Sequence, residues 1–280
     1  MELKQVTFMG ESSSQIVDTM SNDEYHSLDA LGSTGLRLVL ESPAKFYARS
    51  RDPNRPASKT TDNMLAGTLF HTLMLEPHLL DKQFVVMPEE LDARTKAGKE
   101  WKAANKDRTI ITEEMMSVAE GQKASVMRNP DIASLLEGGV NEQSIFWFDF
   151  ETGVLCKCRP DKRKLAGGGQ LVVDLKTTQD ASPEGFAKSV ANYGYHNQGE
   201  FYTDGIEFAT GIPVIGFVFV AVESTYPYLC ASYVLDDLAR ESARLKNRAA
   251  LRRYAECNKT NQWPGYEQSI QPLSLPKWAL

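Results

Sequence analysis

The chain changes texture near residue 136. Upstream, apolar residues recur at helical spacing between polar caps; downstream, they alternate in short runs rich in aromatic and β-branched residues. Residues 1–20 show neither pattern and read as a loose arm. In "SNDEYHSL", Ser21 offers a helix N-cap with Glu24 three residues on, the spacing of a capping box. In "GSTGLRLVLESPAKFYARSRDP", Ser33 or Thr34 offers the next cap, ahead of Leu36, Leu38, Val39 and Leu40, with a stop near Pro43. Residues 50–63 are polar and contain proline, the composition of a loop. "NMLAGTLFHTLMLEP" predicts a helix closed by Pro77, with Met64, Leu65, Thr68, His71, Thr72 and Leu75 near one side. "FVVMP" predicts a short strand, residues 92–107 a charged helical insertion, and Thr112 the cap of a helix with an acidic first turn.

Downstream, "SIFWFDFETGVLCKCRPDKRKLAGGGQLVVDLKTTQ" alternates, with turn signals at Glu151-Thr152-Gly153 and Ala166-Gly167-Gly168-Gly169. It predicts a three-strand meander. "SPEGFAKSVANYGYHNQGEFYTDGIEFATG" predicts one long helix with Pro183 in its first turn. "VIGFVFVAVES" and "YLCASYVLD" predict two more strands, and residues 236–257 a basic helix. This order describes an α/β fold, a mixed sheet flanked by helices. The expected organisation is an arm over 1–20 and a single domain over 21–280, mainly helical to 135 and built on the sheet from 136.

A chain of 280 residues with 42% hydrophobic content can bury a sizeable core. No apolar run is long enough to span a membrane, and the N-terminus lacks the pattern of a secretion signal, so a cytoplasmic location is expected. Cys156 and Cys158 share a strand face and are expected, with Cys230 and Cys257, to be reduced core thiols. Their spacing offers no compact trio for an iron–sulfur cluster. Net charge is −6, yet the cations cluster: Arg94 to Arg108, Lys157 to Lys164 around Asp161, and Arg240 to Arg253. Three such clusters point to a polyanionic partner.

The second cluster encloses the most telling chemistry. In "LVVDLKTT", Asp174 and Lys176 are two apart on a strand and project from one face, among residues that favour burial. Taken alone, that fits an edge strand with one solvated face. Asp161 adds a second acid on the preceding strand. A hairpin centred near Ala166 sets Asp161 opposite Leu171, roughly 10 Å from Asp174 by the strand rise, so twist or a bulge has to close the gap. Two carboxylates at about 4 Å repel by about 4 kcal/mol under an effective dielectric of about 20. A hard divalent cation such as Mg²⁺ or Mn²⁺ removes that penalty.

Pro160-Asp161 followed by Asp174-Leu175-Lys176 resembles the signature of the PD-(D/E)XK nuclease superfamily, whose core is restriction-endonuclease-like. Gly67-Thr-Leu-Phe-His71 and Gln198-Gly-Glu-Phe-Tyr202 resemble the G-x-x-x-H and Q-x-x-x-Y elements of its RecB-type branch. From about Ser21 onward, segments such as "TGVLCKCRPDK", "VVDLKTT", "YGYHNQGEFYTDG" and "LSLPKWA" are similar to the C-terminal nuclease domain of the exonuclease VIII (RecE) family. The chain lacks that family's long N-terminal extension, as in a compact phage or prophage version.

The resemblance implies a Mg²⁺-dependent exonuclease, with Mn²⁺ substituting, acting 5′ to 3′ on linear double-stranded DNA. It further implies 3′ single-stranded tails for recombination, a single-strand annealing protein as partner and a toroidal homotetramer. It assigns the metal to His71, Asp161, Asp174 and the Leu175 backbone carbonyl, and assigns Lys176 to the attacking water or the phosphate. Gln198 and Tyr202 take positioning roles, and Glu142 is a further candidate acid. Arg94, Lys96, Lys99, Arg159 and Lys162 are candidates for DNA contact. A RecB-type nuclease of other polarity, an endonuclease and a non-catalytic DNA-end-binding protein are the alternatives.

Overall fold

The computed structural model describes residues 13–56 and 60–276. Residues 1–12 of the expected arm lie outside them, and Ser14–Val17 within it forms strand β1. Helix α1 (Asn22–Ser27) carries the expected capping box between Ser21 and Glu24. Helix α2 (Ser33–Glu41) differs in its cap: Gly32 holds that position with no side-chain bond, and Ser33 opens the helix. Ser42 then separates α2 from α3 (Pro43–Ser50), with Pro43 at the first position, where its missing N–H costs nothing.

Helix α4 (Asp62–Leu75) starts where the Thr61 hydroxyl accepts the Met64 N–H. It is apolar on more than one side. Leu69 and Leu73 pack against Phe84, Ile111 and Ala119, whereas Phe70 and Leu75 pack against the main sheet through Val173, Leu175, Val220 and Val222. A short turn leads through α5 (Leu80–Gln83) into β2 (Phe84–Val86). The charged insertion contains α6 (Lys96–Ala104), and β3 (Thr109–Ile111) pairs parallel with β2. Helix α7 (Glu113–Arg128) has the expected Thr112 cap, and α8 (Pro130–Leu136) follows.

The sheet half corrects the expected meander. After β4 (Val140–Asn141) and β5 (Ser144–Phe148), the middle strand is broken into β6 (Leu155–Cys158) and β7 (Lys162–Ala166). The break falls at Arg159-Pro160-Asp161, where proline removes a ladder donor. Strand β6 stays with β5 and β1 in a three-stranded sheet. Strand β7 crosses into a five-stranded sheet with β8 (Gly169–Thr178), in which β4 covers its outer edge. The long helix is also broken, into α9 (Pro183–Tyr193) and α10 (Tyr195–Thr210), because Gly194 takes a left-handed φ of 71°. This pair forms the crossover that lets β9 (Val214–Glu223) lie parallel to β8. Strand β10 (Cys230–Tyr233) completes the order β10-β9-β8-β7-β4, and α11 (Asp237–Thr260) closes the fold.

The largest core cluster joins α2, α3, α10 and α11 to β5 and β6 through Leu36, Val39, Trp147, Phe201, Ile206 and Leu251. All four cysteines are free thiols, three of them buried. Close packing of α10 on β5 depends on Gly205: a Cβ there would stand 2.4 Å from the Trp147 ring. Alanine gains about 1 kcal/mol of helix propensity over glycine but forces a buried indole to move. Gly205→Ala is therefore expected to lower stability by about 1–2 kcal/mol net, seen as a lower urea midpoint with an unchanged slope.

Candidate active site

The β7–β8 hairpin positions the two acids. Its turn is the two residues Gly167 and Gly168, with φ of 55° and 83°, a conformation that glycine adopts without strain. Ala166 therefore pairs with Gly169 and Lys162 with Val173. One residue beyond that last pair, Asp161 falls opposite Asp174 rather than opposite Leu171. The expected 10 Å gap arose from centring the turn on Ala166, and the ladder's own register closes it. Asp161 Oδ2 accepts the Leu175 N–H at 2.6 Å, which ties the break between β6 and β7 to the middle of β8.

Asp174 is 1% exposed. Its Oδ1 accepts the Gln198 side-chain amide at 2.9 Å, and its Oδ2 forms an ion pair with Lys176. Burial, opposed by Lys176 and reinforced by Asp161, pushes the Asp174 carboxyl up to about 6. For Lys176, burial pulls the pKa down, yet Asp174 and Asp161 outweigh it, and the ammonium ends above the ordinary lysine value. The ring of Tyr195 lies 4.6 Å from the Lys176 Nζ and gives that charge a second, polarisable contact.

A second group of ligating atoms adjoins this pair. One atom each from His71, Glu142 and Asp161 lie within 4.8 Å of one another. His71 Nδ1 is 3.6 Å from Asp161 Oδ2. Glu142 has a left-handed φ of 49° and donates its N–H to the Asp161 carbonyl at 3.1 Å. Asn141 holds the preceding residue in place: its amide donates to the Leu75 carbonyl at the end of α4, and its Oδ1 accepts Lys162 Nζ. The Glu142 carboxyl is pushed up to about 9, first by burial, then by Asp161 and Glu76, against the pull of Arg159. Acids so crowded resist ionisation. Two hard carboxylates and an imidazole around one point form a donor set suited to a divalent cation such as Mg²⁺ or Mn²⁺.

Residues 32–274, which include all these groups, match the family described as a PDDEXK-like domain of unknown function (DUF3799). The chain belongs to that family. No curated protein matches it. A solved structure of a candidate exonuclease from Eubacterium rectale shares the fold: it is 14% identical over 92% of this chain and 96% of that one, with a TM-score of 0.63. An alkaline exonuclease (LHK-Exo) from Laribacter hongkongensis is 13% identical over 86% of this chain and 97% of that one, with a TM-score of 0.32. The first is a likeness of fold, and the second is too slight to weigh.

In this PDDEXK-like chain the remaining candidates are dispersed. Tyr202 is buried one helical turn beyond Gln198 and set edge-on to Phe217. Arg94, Lys96 and Lys99 are exposed around the start of α6, where Arg94 pairs with Asp92 and Lys96 with Glu100. Arg159 and Lys162 are otherwise employed. Arg159 lies over the Tyr25 ring and donates to the Ser144 hydroxyl and the Met20 carbonyl. Lys162 is buried on Asn141, so it serves the site's frame rather than an open surface.

Sequence reasoning missed Tyr195 and Glu76. Tyr195 stands three residues before Gln198, so helical spacing alone puts both on one side of α10. Glu76 carries no motif, and only the end of α4 brings its charge to Glu142.

Glu142 yields a signed pH prediction for the metal-free protein. Its folded pKa lies above the unfolded value, so the folded state holds the extra proton and stability falls as pH rises between them. In EDTA, the wild-type Tm should decline from about pH 5 to about pH 9. Glu142→Gln should flatten that decline and melt about 2–4 °C higher at pH 8, by calorimetry.

Proposed function

We propose that this chain is a divalent-metal-dependent nuclease that degrades linear double-stranded DNA from its ends, 5′ to 3′, leaving 3′ single-stranded tails for recombination by strand annealing. One observation carries the reading: Asp161 falls opposite Asp174 and beside His71 and Glu142, with Lys176 paired to Asp174. Membership of the PDDEXK-like family supports it. Polarity, tails, the annealing partner, the toroidal homotetramer and the cytoplasmic setting rest on the motif resemblance to exonuclease VIII.

His71, Glu142 and Asp161 would hold the ion, and the motif resemblance adds Asp174 and the Leu175 carbonyl to them. An ion held there would supply Lewis-acid chemistry, polarising a phosphate and lowering the pKa of water. The chain's own groups do the rest. Lys176 brings a cation kept charged by two carboxylates, suited to orient a water or to balance charge on the phosphate. Gln198 fixes the Asp174 carboxylate, and through it the ammonium, in one orientation. Exposed cations such as Arg94, Lys96 and Lys99 contribute phosphate contacts that do not read sequence.

Linear duplex labelled at either 5′ or 3′ ends tests the proposal. With Mg²⁺ the 5′ label should be released first, EDTA should stop release, and closed circular duplex should stay intact. Intact linear DNA beside an active control nuclease would refute the nuclease reading. Early release of the 3′ label would reverse the polarity, and cutting of the circle would make it an endonuclease. Asp174→Asn and Lys176→Met should each lower the rate by about 100-fold or more while the circular dichroism spectrum stays folded. Saturating Mn²⁺ should raise the wild-type Tm, and Asp161→Asn should abolish that rise.

A further inference from the structure

The elbow between α9 and α10 has a feature that the acidic cluster does not use. Gly194 ends one helix and begins the next, and its left-handed turn brings Tyr193 and Tyr195 into a stack, ring centroids 5.6 Å apart and planes 28° from parallel. Tyr195 is anchored. Its ring packs against Phe186 and Phe219, and the Lys176 ammonium lies against it. Tyr193 is different: it is 61% exposed, a large ring stacked outward on the ring that touches Lys176.

Cations flank this elbow. The Arg37 side chain passes within 3.1 Å of where a Gly194 Cβ would stand, although its guanidinium also pairs with Glu41. The charge of Lys246 on α11 reaches His196, the residue after Tyr195, as a minor influence behind burial and the Val190 carbonyl. An exposed aromatic face with cations around it is the chemistry that holds unpaired nucleotides, because every base offers a π-face and every linkage a negative charge. Burial of apolar core does not account for Tyr193, since most of its ring surface faces solvent.

We infer that Tyr193 and Tyr195 form a stacking shelf for the base of an unpaired nucleotide beside Lys176. The inference rests on the nuclease reading and deepens it. A base peeled from a duplex end loses its stacking neighbour, and the exposed Tyr193 face replaces that neighbour without regard to sequence. Tyr193 acts in binding, and Tyr195 is a positioning residue that serves both the shelf and the ammonium.

The test is equilibrium binding of a fluorescein-labelled oligodeoxythymidine in EDTA, measured by anisotropy, beside an abasic oligonucleotide of the same length. Tyr193→Ala should weaken oligodeoxythymidine binding by about 5- to 100-fold, the size of one base–aromatic stack. Tyr193→Phe should bind like wild type, and the abasic strand should bind all three proteins alike. Unchanged oligodeoxythymidine binding by Tyr193→Ala, an equal loss on the abasic strand, or no binding by the wild type would each overturn the shelf. The nuclease reading fails separately, if wild-type protein with Mg²⁺ leaves linear duplex whole; stacking by the shelf is scored without metal and without cleavage.

Discussion

Two acids set opposite one another across a single hairpin are the constraint to which the surrounding structure answers. Carboxylates at about 4 Å repel by about 4 kcal/mol at an effective dielectric of about 20, and burial sharpens the repulsion. Asp174 therefore takes an ammonium on one oxygen and an amide on the other, and Asp161 takes the Leu175 N–H and the edge of His71. Even with these partners the Asp174 carboxyl stays raised, and Glu142, which adjoins Asp161, is raised further. The folded chain thus relieves the crowding by keeping protons on these acids rather than by charging them together. A divalent cation held by this donor set would displace those protons and remove the repulsion.

The topology supplies those partners from far along the sequence. A break at Pro160 frees Asp161 from the β5–β6 sheet and delivers it to β8. The parallel pairing of β8 with β9 demands a crossover, and the crossover helix α10 returns over the sheet with Gln198 and Tyr195 facing the acids. Helix α4 approaches from elsewhere. Its Phe70 and Leu75 are held by Val173 and Leu175 of β8, which leaves His71 beside the strand break. Apolar packing on one side of β8 so fixes the geometry of the polar groups around it.

Much of this was legible from residue order because the decisive features are local. The alternation in "LVVDLKTT" put Asp174 and Lys176 on one face, and helical spacing ahead of Pro77 marked the helix that carries His71. The errors arose where one residue outweighs a pattern. Gly167 and Gly168 both take positive φ, which moved the turn and so the register of Asp161. Pro160 split what alternation read as a single strand, and Gly194 split what periodicity read as a single helix. Glu142 was named only as a candidate, since its place depends on Asn141 bridging α4 to β7, a contact between segments some 66 and 21 residues apart.

Charge was the feature the sequence represented least faithfully. Along α11 the cations look like a ready surface for a polyanion, yet Arg240 and Arg244 converge on the buried Glu200, at 2.7 and 2.6 Å. Arg248 pairs with Asp149 at 2.6 Å, and Arg252 pairs with Glu151. Lys157 is buried against the carbonyls of Tyr25 and Leu28, and burial lowers its pKa to about 8. A cation already matched inside the fold has few counterions to release on meeting a phosphate, so it adds little to salt-dependent DNA affinity. The cations of the second half are thus largely spoken for, whereas Arg94, Lys96 and Lys99 around the start of α6 stay exposed to solvent. A net charge of −6 therefore says little about a polyanionic partner, because attraction depends on local fields rather than on the whole-chain sum.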